Sequence, residues 1–322
     1  MYFINYKNFI STIIFSLCSL NALAKDGQFI ELVGTSGEIN WTQATVSAIG
    51  YGIAGEGKKA NIAPYLACRA AKVDAQRNLL ESYQGVRVTA TSLVSNYMLS
   101  SDEIKSSVEG TIKGAIITSR KNRIDGSCKI VLQAPLRGKI SKSIYQNLYQ
   151  NEVSASIFPR LWSNWISTAH AATYPEIKNQ QISDKLTQLE ERIFSLEQGI
   201  KSSSINDVKT DDISGIVIDV RGTNFIPSLN PKIRKESGDI LYPNKSDSQD
   251  IIDNGQLVSL FSNDVNFAME HPMIGDTPLL IKANKTWKNE NTEIALAEKE
   301  AAKMSYLINK NLLKKIDVII IL

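Results

Sequence analysis

Histidine and cysteine are scarce. The 322 residues include two of the first, His170 and His271, and three of the second, Cys18, Cys68 and Cys128. A cage of several histidine or cysteine ligands is thereby excluded, and a Ser-His-Asp or Cys-His site has two candidate bases at most. An excess of one charge sign is also missing. Thirty-six basic side chains face 33 acidic ones, a net of +3, too even for a dedicated nucleic-acid binder. Gly50 to Gly55 (GYGIAG) spells G-x-G-x-x-G, but it begins inside the expected strand rather than after it, and there is no P-loop and no G-x-S-x-G elbow. Gly50-Tyr51-Gly52 and Gly55-Glu56-Gly57 lie near each other, but a bulge or close backbone approach and a turn account for them. Neither histidine has a spacing typical of a ligand set. These absences predict a non-enzyme: no catalytic residue, no cofactor-binding residue, no cofactor and no metal site.

What is present describes an ordinary globular protein, with 43% hydrophobic and 21% charged residues and a length that suits about two domains. Residues 1–24 read as a targeting signal. Lys7 is their only charge, Phe9 to Leu20 is apolar but shorter than a bilayer span, and Ala22-Leu23-Ala24 offers a cleavage site. A retained short anchor is the alternative. Cys18 follows Leu17 rather than the small residue of a lipobox, so lipidation is not expected. No later segment is apolar enough to span a membrane, and the expected location is the periplasm, in association with the outer membrane. Export would place Cys68 and Cys128 in an oxidising compartment, where they either pair or remain buried thiols; the bridge is the expectation.

The expected fold class is α+β: two domains, each with helices packed on an antiparallel sheet, joined by a helical connector with a short coiled coil. In the first domain, residues 25–138, Glu38 to Ala54 reads as one long strand. Asn61 to Ser82 reads as a helix with Asn61 as N-cap. Its Ala63, Ala67, Ala71 and Ala75 form a small-residue stripe that would let it lie close to a sheet. Val86 to Val94 reads as a strand, and Ser100-x-x-Glu103 as a capping box. Ile112 to Asn122 and Cys128 to Leu136 should form a hairpin around Asp125-Gly126. Asp102, Glu103 and Glu109 suit a helix dipole, Asp74 and Arg77 form an i,i+3 pair, and Asp219 with Arg221 should fix a turn.

The connector, residues 139–210, carries two patterns. Phe158, Leu161, Trp162 and Trp165 share a helical face that either packs against a neighbour or forms a partner or membrane-interface surface. Ile182, Leu186, Leu189, Ile193, Leu196 and Ile200 are spaced 4, 3, 4, 3, 4, a heptad pattern that predicts homo-oligomerisation through a coiled coil at 179–201. Lys185 and Arg192 at g would face Glu190 and Glu197 at e. In the second domain, residues 211–322, strands are expected at 213–220, 277–287 and 316–322. A hairpin is expected at Ser237-Gly238-Asp239, helices at 257–269 and 298–309, and a surface loop at 243–255.

The first domain resembles a known family. Gly37–Trp41 (GEINW), Cys68–Glu81 (CRAAKVDAQRNLLE), Gly85–Val88 (GVRV), Ser101–Gly110 (SDEIKSSVEG) and Asp125–Val131 (DGSCKIV) follow, in order and spacing, the frame of the twenty-kilodalton outer-membrane lipoprotein family, which includes the FlgP/FlgT-like flagellar envelope proteins. Gly215–Gly222, Pro227–Pro231, Glu236–Asp239, Gly275–Pro278 and Ala301-Ala302 resemble a C-terminal domain attached to some members. The resemblance implies an envelope scaffold that builds rings or disks around the flagellar motor. Its expected partners are other copies of itself, other envelope or flagellar basal-body proteins and the outer membrane peripherally, not nucleic acid. The competing readings are a periplasmic ligand- or peptidoglycan-binding module, and an enzyme that uses two carboxylates without a familiar motif.

Overall fold

The computed structural model describes residues 27–149, 213–309 and 317–322. The first lobe runs β1 (Ile30–Val33), β2 (Gly37–Asn40), β3 (Thr45–Gly52), α1 (Ala63–Gln84), α2 (Val94–Ser100), α3 (Asp102–Lys113), β4 (Ile116–Asn122) and β5 (Cys128–Pro135). A further helix, α4, covers 139–149. Its five strands form one antiparallel sheet in the order β1-β2-β3-β5-β4. β5 alternates: Cys128, Ile130, Leu132 and Ala134 are buried towards α1, and Lys129, Val131 and Gln133 face the other way. That is the period-two pattern of a half-covered sheet.

The alanine stripe does what its spacing suggests. Ala67, Ala71 and Ala75 are fully buried, and α1 lies so close to β3 that only glycine fits opposite them. A Cβ on Gly50 would stand 2.1 Å from the Ala75 amide nitrogen, and one on Gly52 would stand 2.3 Å from the Ala67 carbonyl oxygen. Close backbone approach, not a bulge, explains both glycines.

Several local expectations need correction. Glu38 to Ala54 is two strands, because the chain turns at 41–44, with Ala44 at φ 53°, and β2 folds back on β3. Val86 to Val94 is not a strand: the chain doubles back at 89–92, with the Val88 amide donating to the Ser92 carbonyl and the Val94 amide to the Val86 carbonyl, and the carbonyls of Arg87 and Val88 accept from the amides of Leu229 and Asn230 in the second lobe. α1 starts without a side-chain cap, and Ser101 rather than Ser100 caps α3. In the second lobe, 257–269 holds a strand at Leu260–Ser262 and a short helix at Val265–Met269, 277–287 is two strands, and 243–255 is largely helical.

The second lobe comprises β6 (Gly215–Asp219), β7 (Lys232–Lys235), β8 (Ile240–Tyr242), α5 (Lys245–Asn254), β9 (Leu260–Ser262), α6 (Val265–Met269), β10 (Pro278–Lys282), β11 (Lys285–Trp287), β12 (Glu290–Leu296), α7 (Glu298–Asn309) and β13 (Val318–Ile321). The mixed α and β class holds, but the expected antiparallel sheet does not hold here. The strands β10-β6-β13-β9 are all parallel. β6 and β13 are buried at every position, as strands covered on both faces must be, and they read as unbroken apolar runs. A second sheet, β11-β12-β7-β8, mixes antiparallel outer pairs with a parallel centre.

The lobes share a core rather than meeting as two finished domains. One cluster of buried apolar residues runs from Ile39 and Trp41 through Ile140, Ile144 and Tyr145 to Phe261 and Ile319. Trp41 meets Phe261 edge to face at 5.5 Å, and the Thr42 hydroxyl donates to the Phe261 carbonyl at 2.5 Å. Ser262 Oγ donates to the Gly27 carbonyl. Arg87 links Glu31 in the first lobe to the Pro227 carbonyl in the second.

By sequence α4 falls in the connector, yet it is part of this shared core. The Gly138 amide donates to the Gly255 carbonyl at 2.8 Å, and Ser141 Oγ donates to the same oxygen. The buried Tyr145 hydroxyl donates to the Leu229 carbonyl and accepts from the Val258 amide.

Two outcomes are expected. The lobes should unfold in one calorimetric transition, and Tyr145→Phe should cost about 1–3 kcal/mol, because it leaves a buried carbonyl and a buried amide without their partner. Two separate transitions in the wild type would contradict a shared core. Burial also pushes the phenols of Tyr83, Tyr145 and Tyr242 well above their ordinary value. The unfolded chain therefore loses protons near pH 10 that the folded chain keeps. Stability should be complete below that pH and fall as pH rises through it, by up to about 1.4 kcal/mol per pH unit for each tyrosine. Urea midpoints measured from pH 8 to pH 11 check this, and midpoints that stay level to pH 11 would contradict it.

Candidate functional site

Three segments converge at one end of the first-lobe sheet. Gly52, the last residue of β3, pairs with Cys128 at the start of β5, and Asn122, the last of β4, pairs with the same Cys128. The first turns of α1 lie over Gly52. The Cys68–Cys128 disulfide joins α1 to the hairpin neck, with Cα atoms 4.9 Å apart. Of the site residues expected from sequence, this pair is the one that the structure brings together. The bridge spans 60 residues of sequence, so the loop it closes is long.

Beyond the bridge the chain makes two projections. One is the segment from Ile53 to Ile62, which leaves β3 and enters α1. The other is the hairpin turn from Arg123 to Ser127. The turn is internally bonded: Arg123 N donates to the Ser127 carbonyl, and both the Ser127 amide and its hydroxyl donate to Asp125 Oδ1. Those Ser127 bonds hold the Asp125 carboxyl below its ordinary range.

Both projections carry apolar side chains into solvent. Ile124 at the hairpin tip is fully exposed, Ile53 is 74% exposed and Tyr65, in the first turn of α1, is 70% exposed. Tyr51 lies on the adjoining sheet face between two cations, with the Arg123 guanidinium 5.5 Å and the Lys129 ammonium 5.7 Å from its ring centre. Its backbone amide donates to Asp74 Oδ2. Segments 51–66 and 120–129 together hold six basic residues, Lys58, Lys59, Arg120, Lys121, Arg123 and Lys129, and two acidic ones, Glu56 and Asp125. That is a net of +4 on 26 residues, more than the +3 of the whole chain.

This cluster was missed in the sequence. The available signal was an isoleucine inside a hairpin turn, beside Asp125-Gly126, where a β-branched apolar residue has nothing to pack on. A second signal was Lys58-Lys59 after Gly55-Glu56-Gly57.

Other expected positions resolve differently. Asp219 accepts a two-pronged bond from Arg221, at 2.9 and 2.7 Å, and also caps the Arg221 amide; the pair fixes the turn before Gly222, and the Arg221 bonds draw the Asp219 carboxyl below its ordinary range. His271 Nδ1 accepts from the Met273 amide, and partial burial lowers its pKa. Among the described residues no three His, Cys, Asp or Glu side chains gather as a metal set, and no helix is long and apolar enough to cross a membrane. The heptad positions Ile182, Leu186, Leu189, Ile193, Leu196 and Ile200, and the stripe Phe158, Leu161, Trp162 and Trp165, lie outside the described residues, as does His170.

The fold is thus a two-lobed α+β protein, with a disulfide-clamped antiparallel lobe joined through its core to a lobe built on a parallel sheet. Residues 215–322, about a third of the chain, match the family model for the second domain of Treponema pallidum Tp0624. A search of curated proteins gives no match.

The disulfide makes a measurable claim on stability. In the chain-entropy account, closing a loop of this length contributes about 4 kcal/mol. Cys68→Ser/Cys128→Ser should therefore lower the urea unfolding free energy by about 3–4 kcal/mol, and reductant should do the same to the wild type. An unchanged midpoint in both would show that the bridge does not stabilise the lobe.

Proposed function

We propose that this protein is an exported, non-enzymatic assembly protein of the bacterial cell envelope. It would act in the periplasm beside the outer membrane, in the manner of the ring and disk components of flagella. The observation that carries this reading is the Cys68–Cys128 disulfide, because such bonds persist in oxidising compartments and are rare in the cytosol. The apolar leader at residues 1–24 agrees with it, as does the likeness of residues 37–136 to the outer-membrane lipoprotein family.

Two features support assembly. β4 lies at the edge of its sheet and, among the described residues, pairs with β5 alone. Its Ile116 and Ile117 are exposed, and an open strand edge with apolar side chains is a template for a further strand. The heptads at 182–200 supply a second, parallel means of self-association, with other envelope proteins as further partners.

The test has two arms. Fractionation should recover the protein in the envelope, with both cysteines blocked to thiol reagents until reduced; recovery in the cytosol with free thiols would overturn the reading. Light scattering of the purified protein should show an oligomer, and Leu189→Asp/Ile193→Asp should reduce its mass, since charges in the apolar seam each cost several kcal/mol. A wild-type monomer at high concentration would overturn the assembly role.

A further inference from the structure

We propose that the disulfide-clamped end of the first lobe is a docking site for a lipid surface with anionic headgroups. It would insert Ile53 and Ile124 among the lipids while the basic side chains around them engage phosphates.

The proposal rests first on depth. Ile124 stands at the end of a hairpin and Ile53 at the start of the loop beside it, with Tyr65 in the first turn of α1, and all three are largely solvated. A side chain fully exposed at a turn has no packing role, and burying it in a core would require the turn to unfold. Insertion into an interface requires no rearrangement of the hairpin turn, which is held by its own bonds, and the disulfide ties the root of that hairpin to α1, which the other projection enters. Preorganisation of this kind removes an ordering cost from binding.

Charge supplies the second argument and selects the occupant. The basic residues lie within a few positions of the apolar ones: Lys58 and Lys59 between Ile53 and Ile62, Arg123 next to Ile124, and Lys121 and Lys129 along the two strands of the hairpin. Glu56 and Asp125 are the acidic residues of the same segments, and Asp125 is engaged by Ser127. An apolar tip with a collar of cations matches a bilayer surface, where hydrocarbon lies below a layer of phosphate charge.

A protein groove would need shape complementarity along a continuous strip; here the apolar side chains sit on two separate projections. Tyr51, held between Arg123 and Lys129, is an amphipathic ring of the kind that favours the headgroup level. The β4 edge around Ile116 is a different surface, since Ile116 pairs with Gln133 near the far end of β5. Strand pairing at Ile116 and Ile117 and lipid insertion at Ile53 and Ile124 therefore use different apolar side chains.

The proposal builds on the envelope reading, which brings a lipid surface within reach, but its test is independent of it. Purified full-length protein is sedimented with vesicles of phosphatidylcholine alone and of phosphatidylcholine mixed with phosphatidylglycerol. Binding should be strong on the mixed vesicles, weak on the neutral ones, and largely lost in about 0.5 M salt, where screening shortens the reach of charge to a few ångströms. Ile53→Ser/Ile124→Ser should lower the partition coefficient about tenfold or more. Lys58→Glu/Lys59→Glu should lower it at least about twentyfold, given about fivefold per basic side chain near such a surface. Both variants alter exposed residues, and urea midpoints equal to wild type show that each remains folded.

Equal binding to neutral and mixed vesicles, or no binding to either, overturns the proposal. So does wild-type binding by both variants, which would place the lipid contact elsewhere in the chain. Failure here leaves the envelope reading to be decided by fractionation, which does not depend on vesicle binding.

Discussion

The contact of Trp41 with Phe261, with Thr42 bonded to the Phe261 carbonyl beneath it, joins two sheets that would otherwise each expose an unfinished face. Trp41 lies in the turn between β2 and β3, and Phe261 lies in the middle of β9, an edge strand of the parallel sheet. An edge-to-face aromatic pair contributes about 0.5–1.5 kcal/mol beyond its area. Its larger effect is positional, because it sets where the first lobe meets β9. The Gln28 bridge to Ser262 and the Ser262 bond to Gly27 follow directly from that placement.

The same constraint explains features that look irregular within either lobe alone. Segment 86–94 doubles back on itself, Val94 bonding to Val86 and Val88 to Ser92, and the Arg87 and Val88 carbonyls accept from residues 229–230 of the second lobe. A Cβ on Gly255 would stand 3.0 Å from the Gly138 Cα, so two glycine backbones pass each other where α4 enters the shared core. Arg87, bonded on one side to Glu31 and on the other to Pro227, spans the seam as a charged strut. At the opposite end of the sheet the organising bond is covalent. The disulfide joins α1 to the hairpin neck at the edge of the core, and beyond it the turn is held by its own hydrogen bonds.

Where side-chain pattern and backbone pairing are local, the sequence was readable. The Asp125-Gly126 turn, the helix at 298–309, the hairpin at Ser237-Gly238-Asp239 and the alanine stripe of α1 depend on residues close in the chain. The parallel sheet was missed although its sign was present: GIVID and VIII are unbroken apolar runs, which suit strands covered on both faces better than the alternating strands of an antiparallel sheet. The helix at 245–254 has the sequence of a loop, because its Ser, Asp and Asn content favours turns in isolation, while burial of Ile251 and Ile252 against the lobe outweighs that preference.

Composition and periodicity by themselves determined that this chain mixes helix and strand, that it has too few histidines and cysteines for a ligand cage, and that Cys68 and Cys128 were available to each other. Those conclusions follow from counts and from repeats of two and of about four residues, which need no knowledge of distant neighbours. Only the tertiary structure decided that Cys68 and Cys128 meet, that α4 belongs to a core shared by both lobes, and that Ile53, Tyr65 and Ile124 gather at one exposed, basic end. Each of these joins residues tens to hundreds of positions apart, and such contacts are set by how sheets and helices stack in space, which local sequence preference does not encode.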